Sequence, residues 1–109
     1  DGHSARSCLM LAVQANGHEI VTIEGLAKPN GDLNHLQTAL KEHHGLQCGF
    51  CTPGLVMAAH ALLERNPSPS ETEIREELSG NICRCTGYGR LLQAVAEVAT
   101  RRSLEGGLT

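Results

Sequence analysis

Four of the five cysteines in this chain form two close pairs. Cys48 and Cys51 are spaced C-x2-C, Cys83 and Cys85 are spaced C-x-C, and 31 residues separate the pairs. Two tight pairs of soft sulfur donors are the pattern of a metal or cluster site rather than of a disulfide framework, which would also leave one thiol over. Burial as a small packing residue explains an isolated cysteine well and two tight pairs poorly, so it remains the plain reading for Cys8 alone. Zinc and an iron–sulfur cluster both accept four thiolates. The C-x-C pair, the helical segment between the pairs and the glycines around them favour an iron–sulfur cluster over zinc. A zinc-stabilised four-cysteine binding or assembly module without a redox role is the alternative.

The elements around the cysteines repeat one device. The first pair lies in Gln47-Cys48-Gly49-Phe50-Cys51-Thr52-Pro53-Gly54. Thr52 is the expected cap of a helix with Pro53 in its first turn. Leu55, Val56, Ala58, Ala59, Leu62 and Leu63 then follow helical spacing up to Arg65. The second pair lies in Ile82-Cys83-Arg84-Cys85-Thr86-Gly87-Tyr88 and leads into Leu91, Leu92, Ala94, Val95, Val98 and Ala99, a second helical stripe. Each pair thus precedes a helix N-terminus, whose free N–H groups favour anionic sulfur. Arg84 either offsets thiolate charge or is a solvated surface residue. Two further helices are expected. One is capped by Asp32, carries Leu33, Leu36 and Leu40, and stops at Gly45. The other starts with the capping box Ser70-Glu71-Thr72-Glu73, carries Ile74 and Leu78, and ends at Gly80, after the Asn66-Pro67-Ser68-Pro69 loop. Antiparallel packing of the four would bring both cysteine-bearing helix starts to one end of a bundle.

Residues 1–31 read differently. Ile20-Val21-Thr22-Ile23 is β-branched and bounded by glycines, so a strand is expected, and Ser7 to Val13 reads as a second. Two strands alone are marginal in water, so they are expected to belong to something larger. The expected division is a remnant of another domain at 1–26, a linker at 27–31, a helical domain at 32–102 and a flexible tail at 103–109. The chain has no Trp, one Tyr and one Phe, which predicts a core of Leu, Ala, Val and Ile. A net charge of −3 excludes the basic face that nucleic-acid binding needs. No apolar run approaches a membrane span and no secretion signal is recognisable, so a cytoplasmic protein is expected.

The two cysteine motifs together resemble the iron–sulfur (small) subunit of the molybdenum hydroxylases, the xanthine oxidase family. Ser7-Cys8-Leu9-Met10-Leu11-Ala12 through Thr22-Ile23-Glu24-Gly25-Leu26 is similar to the end of that family's plant-type ferredoxin domain. Within the family the resemblance is nearest to the small subunits of aerobic carbon monoxide dehydrogenases, with enzymes of N-heterocycles and aldehydes as rivals. The resemblance implies a mainly α fold: a four-helix [2Fe-2S]-binding bundle preceded by a two-strand remnant of a β-grasp ferredoxin domain. It implies a [2Fe-2S] cluster on Cys48, Cys51, Cys83 and Cys85, a molybdopterin contact at Gln47 and Cys85, and Cys8 as the last ligand of a second [2Fe-2S] cluster. It further implies electron transfer from molybdopterin on a large partner subunit toward FAD on another, in a heterotrimer open to dimerisation. The three further cysteines of the family's ferredoxin domain do not occur in this sequence, so the second cluster requires residues upstream or on another chain.

The remaining residues add little chemistry. His43-His44 end a helix, where a favourable charge–dipole contact is the plain reading. His3, His18, His35 and His60 show no ligand spacing. No Ser/His/Asp or Cys/His nucleophile arrangement and no phosphate-binding glycine loop is present, so no catalytic residue for substrate chemistry is expected on this chain.

Overall fold

The computed structural model describes residues 1–27, 29–31, 34–45, 47–82 and 88–104. Lys28 of the expected linker, the expected cap Asp32, Leu33, the cysteines Cys83 and Cys85 with Arg84, Thr86 and Gly87, and residues 105–109 of the expected tail lie outside the described residues. Four helices follow one another: α1 (His35–Glu42), α2 (Thr52–Arg65), α3 (Glu71–Leu78) and α4 (Gly89–Leu104). Their apolar stripes coincide with the expected ones. Leu36 and Leu40 of α1, Leu55, Val56, Leu62 and Leu63 of α2, Ile74 and Leu78 of α3, and Leu91, Ala94, Val95 and Val98 of α4 are all buried in one core. α1 packs along α4, and α3 packs against both α2 and α4. The core contains no aromatic ring beyond the partly buried Tyr88 at its edge. Truncating a fully buried leucine such as Leu62 would cost about 2–5 kcal/mol.

Helix ends differ from expectation in instructive ways. α1 is capped by Asn34, whose side chain accepts from the Gln37 N–H at 2.9 Å while Gln37 accepts from the Asn34 N–H at 3.0 Å. That reciprocal box satisfies two orphan donors, which is why the helix starts at His35. At the other end, Gly45 donates to the Leu40 carbonyl at 2.8 Å and His44 to that of Lys41 at 3.3 Å. This is a Schellman ending, and the residue in the left-handed region is His44 (φ 54°), not the glycine expected to stop the helix. The capping box of α3 forms as predicted, with Ser70 and Glu73 bonded reciprocally.

The two expected strands do not form. Among the described residues, Ser7–Leu9, Ala12–Ala15 and Ile23–Gly25 are short 3-10 turns and no strand is present. A strand leaves half its amides unpaired unless a neighbour accepts them, and no neighbouring strand lies among the described residues. The backbone bonds locally instead: Leu9 N–H to the Arg6 carbonyl at 3.0 Å, Gln14 to Leu11 at 2.9 Å and Gly25 to Thr22 at 3.0 Å. Leu9, Leu11, Val13 and Ile20 are consequently exposed. Ile23 and Leu26 do reach the core, where their segment packs on α2.

A charged group ties α1 to α4. His43, the residue that closes α1, pairs through Nε2 with the Glu97 carboxylate on α4, and Arg101 reaches the other Glu97 oxygen at 2.7 Å. The hydrogen bond from His43 holds the Glu97 carboxyl below its ordinary 4.5, and Arg101 assists against partial desolvation. A carboxylate with a depressed folded-state value stabilises the protein fully above the unfolded value and loses that contribution as pH falls through the folded one. Melting temperature should therefore drop on acidification below the ordinary carboxylate value. In Glu97→Gln the melting temperature should be lower near neutrality and its acid decline shallower than in the parent. Identical pH profiles for the two proteins would refute the tie.

Candidate metal centre

Cys48 and Cys51 lie on the loop that connects α1 to α2. Gly49 between them has φ 80°, a conformation that residues with a Cβ rarely adopt, so the turn that separates the two sulfurs depends on it. Cys51, not Thr52, is the residue that opens α2. Its carbonyl accepts the first helical hydrogen bond from Leu55 at 3.2 Å, and it has αR geometry (φ −82°, ψ −14°) with no side-chain cap. Thr52 and Pro53 are therefore the first two helical residues, and the helix starts one residue earlier than the sequence suggests. Because Pro53 has no N–H, the first-turn donors left without helical acceptors around Cys51 include those of Thr52 and Gly54. Cys51 is half-buried against the core, whereas Cys48 and Gln47 are exposed.

Two close approaches fix where the flanks of the second pair stand. A Cβ on Gly54, three residues after Cys51, would lie 3.1 Å from Oδ1 of Asn81, two residues before Cys83. A Cβ on Gly45, three residues before Cys48, would lie 2.9 Å from the Leu40 side chain and 3.5 Å from Cα of Leu91, near the start of α4. The stretches that lead into and out of the first pair thus touch those that lead into and out of the second. Tyr88 closes the other side. Its hydroxyl donates to the Asn81 carbonyl at 3.3 Å, so the two residues bracketing the second pair are bonded to each other. Tyr88 does this from φ 74°, a left-handed conformation that costs a non-glycine residue about 1–2 kcal/mol, and its ring packs on the core.

These four residues, Gly45, Gly54, Asn81 and Tyr88, escaped the sequence reading. The glycines were visible as loop formers, but only tertiary contact reveals that each is needed for close approach. The donor set fits a thiophilic centre. Two thiol-bearing residues sit at the positive end of α2, with amide donors beside them, and the flanks of a second cysteine pair are held against this loop. Among the described residues, which do not include Cys83 and Cys85, no group of three or more His, Cys, Asp or Glu side chains converges. His43 is occupied by Glu97, so its role is structural. Cys8 is exposed on the Ser7–Leu9 turn and makes no disulfide among the described residues.

Known proteins agree with this chemistry. Residues 22–96 match the family model described as "[2Fe-2S] binding domain". The chain is 55% identical over 97 residues to the nicotine 6-hydroxylase small subunit of Paenarthrobacter nicotinovorans, covering 89% of this chain and 58% of that protein. It is 50% identical over 99 residues to the xanthine dehydrogenase iron-sulfur-binding subunit of Escherichia coli O157:H7, covering 89% of this chain and 62% of that protein. The chain thus spans about three-fifths of the length of these relatives. Its fold superposes on quinoline 2-oxidoreductase from Pseudomonas putida 86 with a TM-score of 0.89 and 47% identity, covering 99% of this chain and 67% of that one. With a helical core that holds the flanks of two cysteine pairs together, and with relatives named as small or iron–sulfur subunits, the chain belongs to the [2Fe-2S] binding domain family.

Proposed function

We propose that this chain is the electron-transfer part of a molybdenum hydroxylase. Cys48, Cys51, Cys83 and Cys85 hold a [2Fe-2S] cluster, and electrons pass from a molybdopterin centre on a large partner subunit toward FAD on another. The observation that carries the reading is the double contact of the cysteine flanks, Gly54 on Asn81 and Gly45 on Leu91. It supports convergence of the two pairs independently of likeness to other proteins. When bound, the cluster supplies one-electron chemistry, which the side chains themselves do not. The protein's contribution is to place four thiolates, to direct the α2 terminus and its amides at their charge, and to bury one side of the site against the core. Gln47 and Cys85 form the face toward the pterin, and Cys8 is the last ligand of a second [2Fe-2S] cluster in a ferredoxin-like domain ending near residue 26. The helical domain then occupies about 32–102.

Two exposed apolar side chains support a partner on this side. Phe50 is 94% exposed and Ile82 84% exposed, each one residue before a cysteine of the proposed set. Such groups beside a redox centre suit a surface that another subunit covers. Nicotine, caffeine, nicotinate, xanthine and quinoline, which name several of the relatives, are N-heterocycles, whereas other relatives are named aldehyde oxidases or aldehyde oxidoreductases. We favour an N-heterocycle as the substrate of the whole enzyme, with an aldehyde as the rival. The carbon monoxide expectation has no counterpart among these relatives.

Metal and sulfide analysis of the native, anaerobically purified complex tests the reading. Two iron and two sulfide per proposed cluster, visible charge-transfer absorption and an EPR signal on reduction are expected. A colourless protein with one zinc per chain would establish the binding-module alternative instead.

The ligand assignment has its own test. Cys51→Ser removes a donor at the position that opens α2, and metal binding and folding are coupled in small domains. Loss of cluster absorption together with a lower melting temperature is expected. Unchanged iron content and an unchanged melt would remove Cys51 from the set.

A further inference from the structure

Arg6 makes a contact that the proposed function leaves unused. Its Nη2 donates to the carbonyl of Gly80 at 2.9 Å, across 74 residues of sequence. Among the described residues this is the one hydrogen bond that joins residues 1–22 to the helices. The acceptor lies two residues past the last residue of α3, where a cation is favoured by the helix dipole. Gly80 is matched to it, since a Cβ there would stand 2.2 Å from Nη2 and push the guanidinium away. The ends of the contact are informative. Arg6 is two residues before Cys8, and Gly80 is three before Cys83.

We infer that Arg6 is a positioning residue, which pins the Cys8 segment to the end of α3 and so fixes its separation from the cysteine-bearing end of the helical domain. The inference rests on the reading above, in which Cys8 and the four paired cysteines serve two clusters. Between such centres a single electron leaves one and arrives on the other, with no proton or bond change. The step therefore depends on separation and orientation, which the arginine sets without touching either centre. Beyond this bond, the segment is held to the helices through Ile23 and Leu26, which reach the core more than a dozen residues further on. Without Arg6 the Cys8 segment loses its one hydrogen bond to the helical part among the described residues, and its orientation relative to α3 is less tightly fixed.

The test uses the full-length protein in its native complex, with Arg6→Ala, Gly80→Ala, their double variant and Arg6→Lys. Two readouts are followed: the magnetic splitting between the reduced clusters by EPR, and millisecond hydrogen exchange over residues 7–15. Both alanine variants should keep the absorption of both clusters, weaken the splitting and speed exchange. The double variant should be no worse than either single one, because both remove the same contact. Arg6→Lys, which keeps a cationic donor, should recover part of the splitting. Parental splitting and exchange in both alanine variants would overturn the inference, as would effects that simply add. Should the parent contain a single cluster, the proposed role of Cys8 falls. Exchange then decides alone: faster in the alanine variants it upholds the pin, unchanged it overturns it.

Discussion

The close approach of two pairs of chain segments governs the architecture of this protein. Gly45 lies against Leu91, and Gly54 lies against Asn81. Both contacts bring one backbone within van der Waals reach of another part of the molecule; a side chain at Gly45 would enter occupied space, and one at Gly54 would press on the Asn81 side chain. At Gly45 the intruding Cβ would meet the Leu40 side chain at 2.9 Å, inside the core, where interiors are packed too densely to yield freely. The helices can thus be seen as supports that hold two loops edge to edge. The ends of α1 and α3, and the starts of α2 and α4, all border the place where those loops meet.

The termini of these helices settle their unpaired backbone groups by different means, and the difference follows from what each end must do. α1 and α3 begin with complete side-chain boxes, from Asn34 with Gln37 and from Ser70 with Glu73. Those ends are remote from the cysteines and are simply closed. α2 begins at Cys51 with no side-chain cap at all. A serine or aspartate there would satisfy first-turn donors with its own oxygen and spend the positive end of the helix on itself. Leaving the donors to an anionic centre is consistent with the proposed cluster and inconsistent with a helix optimised only for stability. Tyr88 follows the same logic at the second loop, since a left-handed tyrosine is tolerated only where something else holds it. Here the hydroxyl bond to Asn81 and the burial of the ring do so.

Much of this was legible in the sequence because the helical stripes are unambiguous. Leu55 to Leu63 and Leu91 to Ala99 could face only one way, and both stripes are buried as their spacing requires. The Ser70 box was equally plain, because its partner stands three residues away. The Asn34–Gln37 box was passed over for Asp32, since several polar residues precede α1 and only the backbone path selects among them. The strands failed for a different reason. β-branched residues at 20–23 record a preference for extended chain, and the backbone of Thr22 is indeed extended (φ −113°, ψ 177°). A sheet, however, is a property of neighbours, and its existence cannot be decided within one segment. Gly45, Gly54 and the Arg6–Gly80 contact were invisible for that reason too: each is a relation between residues distant in sequence.

The modest core explains why such a molecule would couple its folding to its cofactor. A folded unit of about 100 residues buries only roughly two-thirds of the surface its unfolded form exposes. Here the interior is filled by Leu, Ala, Val and Ile, with no tryptophan anywhere in the chain. A cluster that joined Cys51 to Cys83 would close a loop containing all of α2 and α3. By the chain-entropy relation for cross-links, restricting a loop of this length in the unfolded chain is worth about 3–4 kcal/mol, a large share of the roughly 5–15 kcal/mol by which domains are stable. The glycine contacts would hold the two loops in place beforehand, so that little of this gain is lost to strain on binding. The same residues would thus serve two ends, placing thiolates for electron transfer and supplying the cross-link that a small aliphatic core benefits from most.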